Sequence, residues 1–141
     1  MQFYIGFVRY LAVVNPLSDQ IVFWYGPTPA ATSEVFKARE SGLVDKLPPG
    51  KRLLADGGFV GEPTKITVPF KLAQARRDLS KRRFNRKVAR QRWRIESVFA
   101  RLKRWRVLKE CYRHTLRRHK LLWSLVVFLY NLDVLRHPLS R

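Results

Sequence analysis

The chain has 141 residues, 46% of them hydrophobic and 18 aromatic, a composition that excludes a disordered polypeptide and supports one domain with a core. The net charge is +19 and is unevenly spread: residues 71–120 carry 20 Lys or Arg and three acids, while the other 91 carry nine basic and seven acidic groups. This basic block favours a polyanionic partner, most often nucleic acid. From charge alone, the alternative is a solvated basic face, as in small ribosomal-type proteins.

The chain lacks the features of exported and membrane proteins. Its single cysteine, Cys111, cannot form an internal disulfide and favours a reducing compartment. The first 20 residues lack a signal-peptide pattern. The most apolar stretch, residues 121–130, is shorter than the roughly 20 residues of a membrane span. We therefore expect an intracellular protein with no membrane partner, in the nucleus of a eukaryotic host or otherwise in the cytoplasm or nucleoid.

The N-terminal third predicts strands followed by a helix. Residues 3–14 are rich in Phe, Tyr, Ile and Val, and predict one strand. A turn at 15–19 and a second strand over 20–25 complete a hairpin. Thr32 or Ser33 can cap a helix over 34–47, which the following Pro-Pro-Gly sequence ends.

The next segment predicts a strand that carries an acid at its tip. Leu53-Leu54-Ala55 is an apolar run suited to a buried central strand over residues 52–56. Asp56 follows it, and Gly57-Gly58 permits a sharp turn. Residues 65–70 predict another short strand. In open sheets, sites lie outside the carboxyl ends of strands, which is where this pattern places Asp56.

The C-terminal half predicts helices. Residues 73–86 read as a basic connector, and Val88–Lys109 lacks Pro and Gly for 22 residues, which predicts one helix. Residues 114–135 predict a last helix that is apolar on most sides over its second half and therefore buried. The three histidines lie beside Arg and Lys, and we expect them to be exposed. No domain boundary is visible in residues 1–141, which combine a strand-rich part (1–70) with a basic helical part (71–137).

Glu96 is the only acid in the Val88–Lys109 segment, among eight basic residues. At roughly 100° per residue, Arg92, Glu96 and Lys103 share one narrow stripe of the helix. An apolar stripe abuts it, formed by Val88, Ile95, Val98, Phe99, Leu102 and Trp105. Glu96 is therefore expected at the rim of a buried face, with a cation on either side.

Asp56 and Glu96 together predict a metal site. Taken singly, Asp56 fits a turn and Glu96 fits a salt bridge with Arg92. Taken as a pair, on a strand tip and on the helix that packs against that strand, they are suited to Mg²⁺ or Mn²⁺. Two such ions can hold the attacking and leaving oxygens of a phosphodiester in line.

Three segments resemble DDE transposases of the Harbinger and related insertion-sequence type. LLADGGFVGEPTKI resembles their second-aspartate segment, and RWRIESVFARLKRW resembles their glutamate helix, with the family's Arg–Glu–Lys spacing at Arg92, Glu96 and Lys103. A tyrosine that often precedes this Arg by three positions is replaced by Ala89. GPTPAATSEVF resembles a Gly-Ser-x-His-Asp segment, in which Ser33 and Glu34 stand where His and Asp are usual.

The resemblance implies an α/β, RNase H-like mixed sheet in which Asp56 and Glu96 are catalytic, metal-binding carboxylates. Arg92 and Lys103 would contact DNA phosphates, and we assign Arg94, Arg101, Arg104 and Lys87 of the same basic part to DNA binding with them. The family's first aspartate, on a strand before the hairpin, has no counterpart in this chain. Asp19 and Asp45 are poor substitutes for it, so we expect a truncated domain that lacks its first strand.

We therefore expect a transposase or endonuclease domain for metal-dependent cleavage and strand transfer of DNA at transposon ends. With its metal site incomplete, the isolated chain should be inactive or nearly so. It should tend to form a homo-oligomer or to recruit an upstream-encoded partner chain. The alternatives are a non-catalytic DNA-binding derivative of a transposase and a basic structural RNA-binding protein.

Overall fold

The computed structural model describes residues 2–5, 8–110 and 112–139. Two compact units emerge: unit 1 contains residues 1–31 and 93–141, and unit 2 contains residues 32–92. The prediction of one domain over 1–141 stays a prediction, since compact units can belong to one domain. The environment of Cys111 and the middle of the first predicted strand, residues 6–7, lie outside the described residues.

The fold mixes helices and strands, as the sequence predicts. The strands are β1 (Gln2–Ile5), β2 (Val8–Val14), β3 (Ile21–Pro29), β4 (Leu53–Leu54) and β5 (Ile66–Thr67). The helices are α1 (Glu34–Glu40), α2 (Leu72–Arg77), α3 (Leu79–Leu102), α4 (Arg106–Lys109) and α5 (Leu116–Arg136). In the described part of the chain, no helix is long and apolar enough to cross a membrane.

Unit 1 is built on an antiparallel sheet in the order β1-β2-β3. The predicted hairpin is confirmed by the pairing of β2 with β3. The single strand predicted over residues 3–14 is wrong, because this segment forms β1 and β2, which pair with each other. The sheet packs on α5 and on the C-terminal part of α3, around the buried residues Tyr10, Ala12, Ile21, Val98, Phe99, Leu102, Leu108, Trp123, Val126, Val127, Tyr130 and Val134.

Polar contacts fix α5 on the hairpin of unit 1. The Asn131 side chain accepts a hydrogen bond from the N–H of Ile21 and donates one to its carbonyl oxygen, both at 2.9 Å. The Tyr130 hydroxyl donates to the carbonyl oxygen of Asp19 at 2.8 Å. These bonds satisfy polar groups at the start of β3, so the position of the hairpin tip is set by α5.

Two predictions about α5 are corrected. His119 was predicted to be exposed but is fully buried, and its Nδ1 hydrogen-bonds with the Tyr10 hydroxyl at 2.7 Å. The helix was predicted to be buried on most sides. One face instead leaves large apolar side chains 46–65% exposed, namely Leu121, Leu125, Phe128, Leu132 and Leu135. The helix α5 thus has apolar side chains on several faces, but not all of these faces are buried.

The glutamate helix has different ends from those predicted. The predicted connector over residues 73–86 is helical, since α3 begins at Leu79 directly after α2. The single helix predicted over 88–109 is wrong beyond Leu102. There the N–H groups of Arg104 and Trp105 donate to carbonyls three residues back, which tightens the last turn and ends the helix. The chain then restarts as α4, which buries Leu108 in the core of unit 1.

Unit 2 contains α1, β4, β5, α2 and the first part of α3. Ser33 caps α1 as predicted, its hydroxyl accepting from the N–H of Phe36 at 3.3 Å. The helix ends at Glu40 rather than 47, and Gly42 then adopts a left-handed φ of 67° that suits a helix terminus. The strand predicted over 52–56 is present as the short β4, parallel to β5, but Leu54 is 45% exposed, so its predicted burial is wrong.

Candidate active site

Asp56 lies just beyond the carboxyl end of β4, as the sequence predicts. The N–H of Ala55 donates to the carbonyl oxygen of Thr67 at 2.9 Å, which continues the strand pairing up to the residue before Asp56. Asp56 then caps a 3₁₀ turn over Gly57–Phe59, and its Oδ1 accepts from the N–H of Gly58 at 3.1 Å. The half-buried carboxylate is thus held in one orientation by its own turn.

Glu34 brings a second carboxyl group to Asp56. It is the first residue of α1, directly after the Ser33 cap, where the positive end of the helix dipole favours an acidic side chain. Its side chain hydrogen-bonds with that of Asp56. Unit 2 therefore joins a strand tip and a helix start through two carboxyl groups.

The pKa of Glu34 reflects this arrangement. Burial raises it first, and the hydrogen bond with Asp56 and the charge of Asp56 raise it further, to about 7. The ammonium group of the buried Lys37 acts in the opposite direction. Near neutral pH the Glu34 carboxyl group therefore carries its proton for part of the time.

Gly58 makes room for the pair. Neither Gly57 nor Gly58 has a positive φ, so the sharp turn does not itself demand glycine. A Cβ atom at position 58 would collide with the carboxyl group of Glu34, whereas a Cβ atom at position 57 would meet nothing within 4 Å. Gly58 therefore leaves the space that the Glu34 carboxyl group occupies, and Gly57 has no such neighbour.

The carboxyl pair supplies some, but not all, of the ligands that a hard divalent cation needs. Carboxylate oxygens are the ligands that Mg²⁺ and Mn²⁺ prefer, and Asp56 and Glu34 supply them from adjacent positions. Among the residues that the structure describes, no group of three or more His, Cys, Asp or Glu side chains is arranged to hold a metal ion. The two residues thus provide the right kind of donor, but not a full set.

Glu96, the other predicted metal ligand, lies on α3 with an exposed side chain. It belongs to unit 1, and Asp56 belongs to unit 2. The prediction that these two acids share a site stays a prediction. Sequence reasoning did not assign Glu34 to the site, although its place in GPTPAATSEVF, where the resembling family has an aspartate, was a signal that could have done so.

The predicted DNA-binding cations differ in exposure. Lys87, Lys103 and Arg104 are exposed, and Arg92, Arg94 and Arg101 are half-buried. Arg94 and Arg101 contact acids of unit 1. Arg94 forms an ion pair of 2.6 Å with Asp19, and the two side chains are only 15% and 7% exposed.

Arg101 has a similar structural role within unit 1. Its guanidinium donates to the carbonyl oxygen of His137 at 2.7 Å and lies 3.4 Å from the Asp133 carboxylate. These contacts connect α3 with the end of α5. A phosphate bound by Arg101 or Arg94 would have to compete with partners that are already in place.

Comparison with known families gives a match. The profile of a family described as DDE superfamily endonuclease matches residues 4–131. Comparisons with curated proteins and with solved structures return no match. The matched range includes Glu34, Asp56 and Glu96.

Proposed function

Because the chain belongs to the DDE superfamily of endonucleases, we propose that it is a domain for metal-dependent cleavage and strand transfer of DNA phosphodiester bonds. We place it in the Harbinger and related insertion-sequence type, with an RNase H-like fold. The observation that carries the proposal is the hydrogen-bonded carboxyl pair of Asp56 and Glu34 at the end of β4. The site of action would be the host's DNA, in the nucleus or nucleoid.

In this proposal Asp56 and Glu96 are the metal ligands that the resemblance implies, and Glu34 adds a third carboxyl group beside Asp56. Bound Mg²⁺ or Mn²⁺ supplies the positive charge that stabilises the phosphodiester during attack. Asp56 is oriented by the N–H of Gly58, and Glu34 by the start of α1. The proton on Glu34 must leave before its carboxyl group can bind a cation.

The cations around Glu96 support a DNA substrate. We place the phosphate contacts on Arg92, Lys103, Lys87 and Arg104, which lie on α3 or in the turn that follows it. Arg94 and Arg101, assigned to DNA binding from the sequence, support the interface instead by holding α3 to the rest of unit 1. Phosphate contacts of this kind carry no sequence information by themselves.

The exposed apolar face of α5 supports self-association. The spacing of Leu121, Leu125, Phe128, Leu132 and Leu135 alternates between four and three residues, as in the seam of a coiled coil. We propose that a second copy of the chain packs on this seam. An antiparallel arrangement is favoured, because parallel helices would place Arg117, Arg118 and Lys120 beside their own copies.

A non-catalytic DNA-binding derivative is the second candidate. It is favoured by the incomplete donor set within the described residues, where only two carboxyl groups meet. In this case the basic helices would still bind DNA, and the acids would serve the structure alone.

A plasmid-nicking assay with the purified chain and Mg²⁺ or Mn²⁺ tests the proposal. We expect no more than slow, metal-dependent nicking, because few acids face many cations. Asp56→Ala and Glu96→Ala should abolish it, and Glu62→Ala, which removes an acid paired with Arg39, should not. Nicking that survives Asp56→Ala would contradict the proposed site, and DNA binding without any nicking would favour the second candidate.

A further inference from the structure

The α2–α3 hairpin of unit 2 encloses a groove of ≈280 Å³. Its two sides are held in place by side-chain hydrogen bonds. Asp78, the single residue between the helices, accepts from the N–H and the hydroxyl of Ser80 at 2.8 and 2.6 Å. The Asn85 side chain accepts from the N–H of Phe70 and donates to its carbonyl oxygen, both at 2.9 Å. The groove is therefore preformed rather than created by a ligand.

Three of the seven residues that line the groove are apolar, and we call them its floor. It is formed by Leu72 and Ala75 of α2 and by Ala89 of α3. Leu72 is 76% exposed, and Ala89 is exposed as well, so this apolar surface faces solvent. Covering this apolar surface with a flat apolar group is energetically favourable, whereas a hydrated phosphate would not provide this stabilisation.

Three other residues that line the groove are arginines, and we call them its rim. Arg76, Arg82 and Arg86 line it, and none of its described lining residues is acidic. One Nη of Arg82 donates to the carbonyl oxygen of Arg76 at 3.3 Å, which anchors this guanidinium across the end of α2. A guanidinium has five N–H donors, so most of those on Arg82 stay available to a ligand. The arginines of the rim therefore favour an anionic ligand.

We propose that this groove binds an unpaired nucleotide of DNA, with the base on the apolar floor and the flanking phosphates on the three arginines. The identity of the anion as DNA rests on the proposed function. In a duplex, the faces of the bases are covered by their neighbours, so a protein surface can reach the phosphates, the sugars and the base edges but no flat base face. An unpaired nucleotide offers a flat face and a phosphate together, which is how single strands are bound elsewhere.

The size of the groove agrees with this occupant. Pockets for small ligands measure about 300–1,000 Å³. A volume of ≈280 Å³ lies just below that range, so the groove can take a group on the scale of one nucleotide and cannot admit a double helix. Arginine side chains also stack on bases, which adds to the contact made by the floor.

The test measures the affinity of the full chain for a single-stranded oligonucleotide and for a duplex of the same length, at several salt concentrations. Ala89→Leu fills the groove without changing any charge, and Ala73→Leu, on the exposed part of α2 outside the groove, is its control. Arg82→Ala removes a rim cation, and its control is Arg83→Ala, an exposed neighbour that does not line the groove. Circular dichroism verifies that each variant keeps its helices.

We expect Ala89→Leu to weaken single-strand binding about tenfold, as for the loss of one stacked base, with the salt slope unchanged and duplex binding within about twofold of the parent. Arg82→Ala should weaken single-strand binding by more than Arg83→Ala does, and should lower the salt slope by about 0.7. Equal single-strand affinity of Ala89→Leu and Ala73→Leu would overturn the proposal. So would a loss of duplex binding equal to the loss of single-strand binding.

Failure of the groove proposal is distinct from failure of the proposed function. If the groove variants bind single strands like the parent while metal-dependent nicking persists, the groove has been misassigned and the endonuclease has not. If the parent chain binds no DNA of either form, both proposals fail.

Discussion

Glu34 and Asp56 hydrogen-bond through their carboxyl groups, although one begins a helix and the other ends a strand. This contact sets the pKa of Glu34 at about 7 together with its burial. It also explains Gly58, whose missing side chain leaves the space that the Glu34 carboxyl group occupies. Glu34, Asp56 and Gly58 therefore form one local arrangement.

Gly58→Ala should separate the acid pair. The new methyl group would push the Glu34 carboxyl group away from Asp56 and into solvent, so the pKa of Glu34 should fall towards its ordinary value of about 4.3. Carboxyl NMR titration of the labelled chain measures this pKa. Gly57→Ala is the matched control and should leave it near 7, because a Cβ atom there meets nothing. An unchanged Glu34 pKa in Gly58→Ala would contradict the packing described.

His119 should make unit 1 less stable in acid. Burial lowers its pKa below the usual value of about 6.5, so the unfolded chain takes up a proton more readily than the folded one. The contribution of neutral His119 to the free energy of unfolding is therefore fully present above pH 6.5. It is lost as the pH falls through 6.5 towards the lowered pKa of His119. We expect the contribution of His119 to the free energy of unfolding to fall by up to about 1.4 kcal/mol per pH unit in this window. Glu34 acts in the opposite direction over the same range, because its raised pKa of about 7 lets the folded chain take up a proton there.

His119→Gln should remove this part of the acid dependence, because glutamine does not titrate. His114→Gln, at an exposed position, should retain it. Urea unfolding at several values between pH 5 and pH 7.5 provides the comparison. Identical pH profiles for His119→Gln and the parent would mean that another group dominates the acid response.

Removal of Arg94 should affect mainly stability, and removal of Arg104 should affect mainly DNA binding. Arg94→Ala leaves the nearly buried Asp19 carboxylate without its ion-pair partner, which should lower the free energy of unfolding by about 3 kcal/mol. Arg104→Ala, at an exposed position, should hardly change stability and should reduce the salt slope of duplex DNA binding by about 0.9. Thermal unfolding and binding titrations measure both effects. A reduced slope for Arg94→Ala with full stability would reverse these assignments.

The apolar seam of α5 should control self-association. Leu125→Glu places a charge in the centre of the seam and should shift the chain towards the monomer in sedimentation velocity. Leu116→Glu is the control, since Leu116 is similarly exposed but lies off the seam on the same helix. If the parent is monomeric across the micromolar range, or if both variants behave alike, the seam does not join two copies.

Local signals predicted the elements that depend on neighbouring residues. Ser33 could be identified as a cap, and Asp56 could be placed at a strand end, because capping and turn formation act over a few positions. The apolar stripe of α3 was also predictable, and Val88, Val98, Phe99 and Leu102 are buried. Trp105 is 42% exposed, because the helix ends before it.

The rest depends on contacts between distant parts of the chain. The end of α3 is tied to the burial of Leu108, and the buried state of His119 requires Tyr10, which belongs to a different element. The role of Glu34 depends on the packing of α1 against the turn after β4. A pattern read along one segment does not contain such tertiary contacts, which override local propensity.

The most direct test of the central claim is where Mn²⁺ binds, since the proposed function makes Asp56 and Glu96 metal ligands and adds Glu34 beside Asp56. In carboxyl-labelled protein, bound Mn²⁺ should broaden the NMR signals of Asp56, Glu34 and Glu96 at the lowest metal concentrations. Asp56→Asn should abolish this effect, and Glu62→Gln should leave it intact. Broadening that begins at other acids and spares Asp56 and Glu34 would contradict the account.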